Sequence, residues 1–241
     1  MNPRRVIINF ATSSYHNGQD RLLKSLDRVG YSDGVMLTRD YPSHDWPRHE
    51  DDPYAFKIYA IDAAISAGYT SIIWIDARAW AVRHPSDLFE MIERDGHYLM
   101  HGGAFMDCRC TDACLARSGM TRDEAASVHM LGGSIYGFDL RSERTRAFID
   151  EWRAWQRAGL FKGPAVNEAN PEPLRRAGYG DRPTGFVSTD PRVVGHAHDE
   201  ACASFIAHRL GMASVAVGRE YGGYSPEFAA LPTTYFVSQG M

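Results

Sequence analysis

Apolar residues in this chain fall into short dense runs. Between the runs they recur every three or four positions, and the alternation predicts strands and helices in turn. The densest run, Ile72-Ile73-Trp74-Ile75, is β-branched or aromatic throughout and ends abruptly at Asp76. A continuous run of that length reads as a strand covered on both faces. Residues 6–11 form a similar run and residues 34–38 a shorter one. Between those two, Leu22, Leu23, Leu26 and Val29 predict a helix capped by Asn17 and ended by Gly30. Tyr54, Ile58, Ile61 and Ile65 predict the helix that feeds the central strand. Asp52 is its expected N-cap, Pro53 its first helical residue and Gly68 its stop.

The same reading continues past Asp76. Residues 85–94 predict a helix with Leu88, Phe89 and Ile92 inward, and Tyr98-Leu99-Met100 is strand-like. Residues 108–119 read as irregular. Thr121 and Glu124 fit a capping box opening a short helix. Residues 132–139 form a glycine-bounded strand. Residues 142–158 predict a helix with Phe148, Ile149, Trp152 and Trp155 on one face and Gly159 at its end. Residues 163–187 hold several Pro and Gly with little pattern. Residues 199–209 predict a last helix, with Cys202, Phe205, Ile206 and Leu210 on one side, and residues 213–217 a last strand. A tail from Gly218 carries Tyr221, Tyr224 and Tyr235. Residues 42–53, rich in Pro, His and Asp, read as a long loop over the sheet edge, and such loops are often functional. Strand and helix in this order predict an α/β fold with a mainly parallel central sheet flanked by helices, Rossmann-like, in one domain over residues 1–241.

Composition changes this picture little. The chain has 241 residues, 44% hydrophobic and 23% charged, enough for one substantial core. A net charge of −4 argues against nonspecific attraction to nucleic acid over the whole surface, although a local basic groove remains compatible with it. No apolar run approaches the roughly 18 residues of a spanning helix. The basic start, Met1 to Arg5, does not read as a signal peptide, and four cysteines are too few for a disulfide scaffold. A reducing cytoplasm is the expected setting.

Four features in this order resemble the nucleotide-sugar glycosyltransferases of GT-A fold, in particular the small ones of bacteria, phages and large viruses. They are the strand and polar loop from Phe10-Ala11-Thr12; Pro53-Tyr54-Ala55-Phe56-Lys57, a helix, then Ile73-Trp74-Ile75-Asp76-Ala77; Leu131-Gly132-Gly133-Ser134-Ile135-Tyr136-Gly137-Phe138; and Gly195-His196-Ala197-His198-Asp199-Glu200 opening a helix. Together they span most of the chain. The resemblance implies a nucleotide-sugar donor and transfer of its sugar to an acceptor, which could be a glycan, protein, lipid or modified nucleic-acid base. It also implies Mn or Mg on the donor diphosphate, held by an Asp-x-Asp pair. Here the pair is Asp76-Ala77-Arg78, so metal dependence is expected to be weak or absent. Arg78 can itself grip phosphate in a bidentate fork.

Glycosyl transfer needs a nucleotide grip, positive charge on the leaving diphosphate and, with inversion, a base for the acceptor hydroxyl. Asp76, at the carboxyl end of the central strand, is the first candidate, for donor, metal or catalysis. Thr12, Ser13 and Tyr15 could cradle the base, Lys57 and Arg78 the diphosphate. Gly132 and Gly133 would let backbone approach the donor. Asp199 is a candidate base or simply a helix cap, and His196 and His198 are candidate metal ligands or plain loop residues. Cys108, Cys110 and Cys114, with His101 or Cys202, give an incomplete zinc spacing. The competing reading is a noncatalytic nucleotide- or sugar-binding module on the same fold.

Overall fold

The structure, a computed structural model, describes residues 3–176, 183–217 and 226–238. Strand and helix alternate through the first half: β1 (Arg5–Ala11), α1 (His16–Arg28), β2 (Gly34–Arg39), α2 (Phe56–Ser66) and β3 (Ser71–Ile75). A short β4 (Ala79–Ala81) leads to α3 (Ser86–Asp95) and β5 (His97–Phe105). Then come α4 (Asp112–Ser118), α5 (Arg122–Ala125), β6 (His129–Asp139) and α6 (Glu143–Arg157). Two-residue strands β7 (Val166–Asn167) and β8 (Thr184–Gly185) flank α7 (Glu172–Arg176). The chain closes with α8 (His198–Arg209), β9 (Val215–Ala216) and β10 (Phe236–Ser238).

Six strands form one sheet in the order β2-β1-β3-β6-β5-β9. β1 pairs in parallel with β2 and β3, and β5 with β9. Only β6 runs against its neighbours, β3 and β5. The protein is therefore an α/β fold with a mixed, mostly parallel sheet flanked by helices. Side chains alternate across it. Val6, Ile8, Phe10, Ile72 and Trp74 join the core under α2, α6 and α8. Ile7, Ile73 and Ile75 join Leu22, Leu26, Leu88, Phe89 and Ile92 under α1 and α3. Asn9 is the polar exception in β1. Its Nδ2 donates to the Ile75 carbonyl at 2.6 Å, and its Oδ1 accepts from Gln19 at 2.7 Å, so both ends of the buried amide are satisfied.

Several expected boundaries move. The feeding helix starts at Phe56, not Pro53, and Tyr54 before it lies in the left-handed region at φ 62°. Asp52 does not cap it. Its carboxylate is buried and accepts from Gln156 Nε2 at 2.7 Å, a partner 104 residues away. α1 begins at His16, one residue before the expected Asn17 cap. Residues 108–119 are not irregular throughout. Thr111 caps α4 by accepting from the Cys114 amide, and Gly119 ends it at φ 75°. β4 and β10 form a two-stranded sheet that three-residue runs did not reveal. The Thr121 capping box and the Gly68 stop at φ 82° are present, and Ser142, expected as the first residue of α6, caps it instead. Tyr221 and Tyr224 lie outside the described residues. Among the described residues no helix is long and apolar enough to cross a membrane.

Candidate functional site

Parallel pairing of β1 and β3 brings their carboxyl ends side by side. Antiparallel β6 starts where they end: the Asp76 amide donates to the Ser134 carbonyl at 2.9 Å. The Thr12 loop, Asp76 and the Gly132 region therefore meet at one edge of the sheet, the edge at which open α/β sheets bind ligands. A cavity of about 310 Å³ opens there. Phe10, Tyr41, Tyr54, Phe56 and Trp74 form its aromatic wall. Thr12, Tyr15, Asp76 and Arg78 bring polar groups, and His49 and Glu50 come from the long loop.

The wall is built by stacking. Phe10 packs on Phe56 at 4.6 Å and on Trp46 at 5.7 Å, both within 27° of coplanar. His49 sits edge-on to Tyr54 at 4.6 Å and accepts from the Tyr54 amide. Burial lowers the His49 pKa, with Glu50 opposing and Lys57 reinforcing the shift. Trp74 Nε1 donates to Asp76 Oδ1 at 3.1 Å, which orients the carboxylate at the end of β3.

Behind that wall lies a buried ionic network. Lys57 is 2% exposed; its Nζ donates to Asp199 Oδ2 at 2.8 Å and to the Gly133 carbonyl at 3.0 Å. The ammonium also lies 5.1 Å from the Tyr54 ring centre and 5.7 Å from that of Trp74. Glu200 Oε1 accepts from the Gly133 amide at 2.7 Å. Burial alone would lower the Lys57 pKa, but Asp199, Asp76 and Glu200 together hold it above its ordinary value. One cation faces two enclosed carboxylates. Burial raises Asp199, with Lys57 opposing. Burial and the neighbouring Asp199 push Glu200 up to about 7.

This arrangement reassigns several residues. Lys57 does not line the cavity, so it is a counter-ion for Asp199 and not a diphosphate grip. Asp199 is neither a cap nor an accessible base: Ala197 occupies the cap position of α8, and the Asp199 carboxylate is 1% exposed. Gly133 serves the network and not a ligand. A Cβ there would lie 2.5 Å from Lys57 Nζ and 3.0 Å from Glu200 Oε1. Gly132 pairs with Met100 within the sheet. Ser13 opens a short 3-10 turn and is not among the residues lining the cavity, unlike Thr12 and Tyr15.

The histidines do not form a metal site either. His196 is buried; its Nδ1 accepts from the Thr111 amide, so its Nε2 carries the hydrogen and donates to the Leu160 carbonyl at 2.9 Å. Both nitrogens are spent, and burial with help from His198 pushes the ring's pKa down to about 3. His198 turns its Nδ1 to the Phe161 carbonyl at 3.0 Å. Among the described residues no three His, Cys, Asp or Glu side chains gather as metal ligands. The zinc spacing dissolves likewise. Cys110 bonds to the Met106 carbonyl, while Cys114 faces Cys202 at 3.9 Å in the core. His101 stacks on His129 and bonds to Ser214.

No protein-family model matches the chain, and no curated protein matches it in sequence. The cavity is also lined by His49, Glu50 and Tyr41, which the sequence did not single out, and by Tyr54 and Phe56, which stood in a motif without a ligand-facing role assigned to them. The one signal pointing to His49 and Glu50 was the length and composition of the 42–53 loop. Glu200 was inside a quoted motif, but nothing local distinguished its role from that of Asp199.

Proposed function

We propose that the chain is a glycosyltransferase that takes a nucleotide-sugar donor in the cavity over Asp76. One observation carries this reading. An aromatic-walled cavity of about 310 Å³ sits at the carboxyl ends of β1 and β3, with Asp76 and Arg78 on its rim. That volume is at the lower end of the usual range for ligand pockets, roughly 300–1,000 Å³. The aromatic wall suits a planar base, and Arg78, an exposed guanidinium, suits a diphosphate. Asp76 binds the ribose or the sugar. With Asp199 held by Lys57, the acceptor base falls to Asp76 or Glu50, the carboxylates that reach the cavity.

The chain's residues do not fit a divalent cation at this site. Arg78 stands where a second carboxylate would, and the late histidines turn ring nitrogens to backbone carbonyls. Arg78 stabilises the charge that develops on the departing diphosphate, and the aromatic wall keeps water from the anomeric carbon.

The second reading, a noncatalytic nucleotide- or sugar-binding module, is favoured by the sequestered Asp199. Two measurements separate the readings. Calorimetry with uridine, guanosine and thymidine diphosphate sugars should show one donor binding in the micromolar to millimolar range. Release of nucleoside diphosphate from that donor then marks a transferase, and binding without release marks a module. No heat with any donor overturns both.

A further inference from the structure

The outward face of α1 plays no part in the proposed transfer. Asn17, Asp20, Arg21, Lys24, Ser25 and Arg28 recur at three- and four-residue steps and form one stripe. This stripe meets β4 through polar contacts. Ser25 Oγ accepts from the Ala81 amide at 2.8 Å, and Arg21 Nη2 donates to the Arg78 carbonyl at 2.5 Å. The Arg21 guanidinium lies 4.3 Å from the Trp80 ring centre. Between the stripe and Trp80 is a cavity of about 470 Å³.

Its charge is one-sided. Arg21, Lys24 and Arg28 line it, and its single carboxylate, Asp20, is ion-paired with Arg39. Among the described residues no carboxylate makes an ion pair with any of the three cations. The chain as a whole carries a net charge of −4, so this concentration of cations is not a sample of its average surface. Arg21 also holds a buried Nε without a hydrogen-bond partner among the described residues.

We propose that this cavity is a second binding site, for a small phosphate-bearing anion. The phosphate oxygens lie among Arg21, Lys24 and Arg28, and the remainder of the molecule rests beside Trp80. Three cations around one space suit a group with several charged oxygens better than a single carboxylate. The assignment stands whether or not the chain transfers sugar, since it shares no lining residue with the cavity over Asp76.

The test is calorimetry with pyrophosphate on the full chain. Its variants are Lys24→Gln/Arg28→Gln and, for the other cavity, Arg78→Gln. Lys24 and Arg28 are exposed, so the double variant should melt with the wild type. The expected result is binding that weakens about tenfold or more in the double variant and persists in Arg78→Gln. Citrate, a polycarboxylate of similar charge, should bind more weakly than pyrophosphate. The proposal is overturned by no heat in the wild type, by full affinity in the double variant at unchanged melting temperature, or by citrate binding as tightly as pyrophosphate. Loss of all binding in Arg78→Gln alone would place the anion in the other cavity and equally end it.

Discussion

Two groups of charge meet at the Tyr54 and Trp74 rings, and they differ in exposure: Lys57 and Asp199 are buried, whereas Arg78 is exposed and Asp76 half-buried. On the inner side Lys57, Asp199 and Glu200 satisfy one another and the Gly133 backbone. On the outer side Asp76 and Arg78 rim the cavity. The inner group is costly to assemble, because charges leaving water lose several kcal/mol each, and it persists because every member has a partner. It joins α2, β6 and α8, and so holds the edge of the sheet against which the cavity forms. The outer group has fewer partners: Asp76 accepts from Trp74 Nε1, and Arg78 is exposed.

The contrast can be broken most sharply at Lys57. Lys57→Met leaves Asp199 buried without a counter-ion and should cost about 3–5 kcal/mol in urea unfolding. Lys57→Met/Asp199→Leu, which removes both charges, should recover much of that loss. If Lys57→Met unfolds like the wild type but loses donor binding, Lys57 belongs to the outer group after all.

Glu200 tests the inner group through pH. Its carboxyl is held at about 7, against an ordinary 4.5. Between those values the folded protein keeps a proton that the unfolded chain has lost. The resulting stability is fully present below pH 4.5 and is lost as pH rises through 7. Glu200→Gln keeps an oxygen for the Gly133 amide and removes the titration. Across that window the wild type should fall relative to the variant by about 3 kcal/mol at most. Parallel unfolding curves for the two proteins would show that Glu200 titrates normally.

The outer group should respond in binding and not in folding. Asp76→Asn still offers an oxygen to Trp74 Nε1. It should leave the unfolding midpoint nearly unchanged while donor affinity or turnover drops about tenfold to a hundredfold. Arg78→Gln should be milder, about tenfold in donor affinity, with no measurable change in stability. A large stability loss from either change would place it with Lys57 and erase the distinction between the two sides.

Local pattern alone was enough for the alternation of strand and helix, for the buried run at residues 72–75 and for Asp76 at its end. These are properties of neighbouring residues: β-branched runs, three- and four-residue recurrence, a capping box at Thr121, a glycine stop at Gly68. The same pattern could place Asp199 near the start of a helix and Lys57 near the start of another. It could not show that the two meet. Their contact spans 142 positions, and whether a charge is available to a ligand depends on such a contact. Gly132-Gly133 shows the same limit: the pair announced a close approach of backbone to something, and folding decided that Gly133 meets a lysine and not a ligand. His49 and Glu50 stand in a loop without periodicity, so only packing against Tyr54 and Phe56 could bring them to the cavity. Pairing is a property of three-dimensional neighbours, so only the tertiary structure shows which charges are spent on one another.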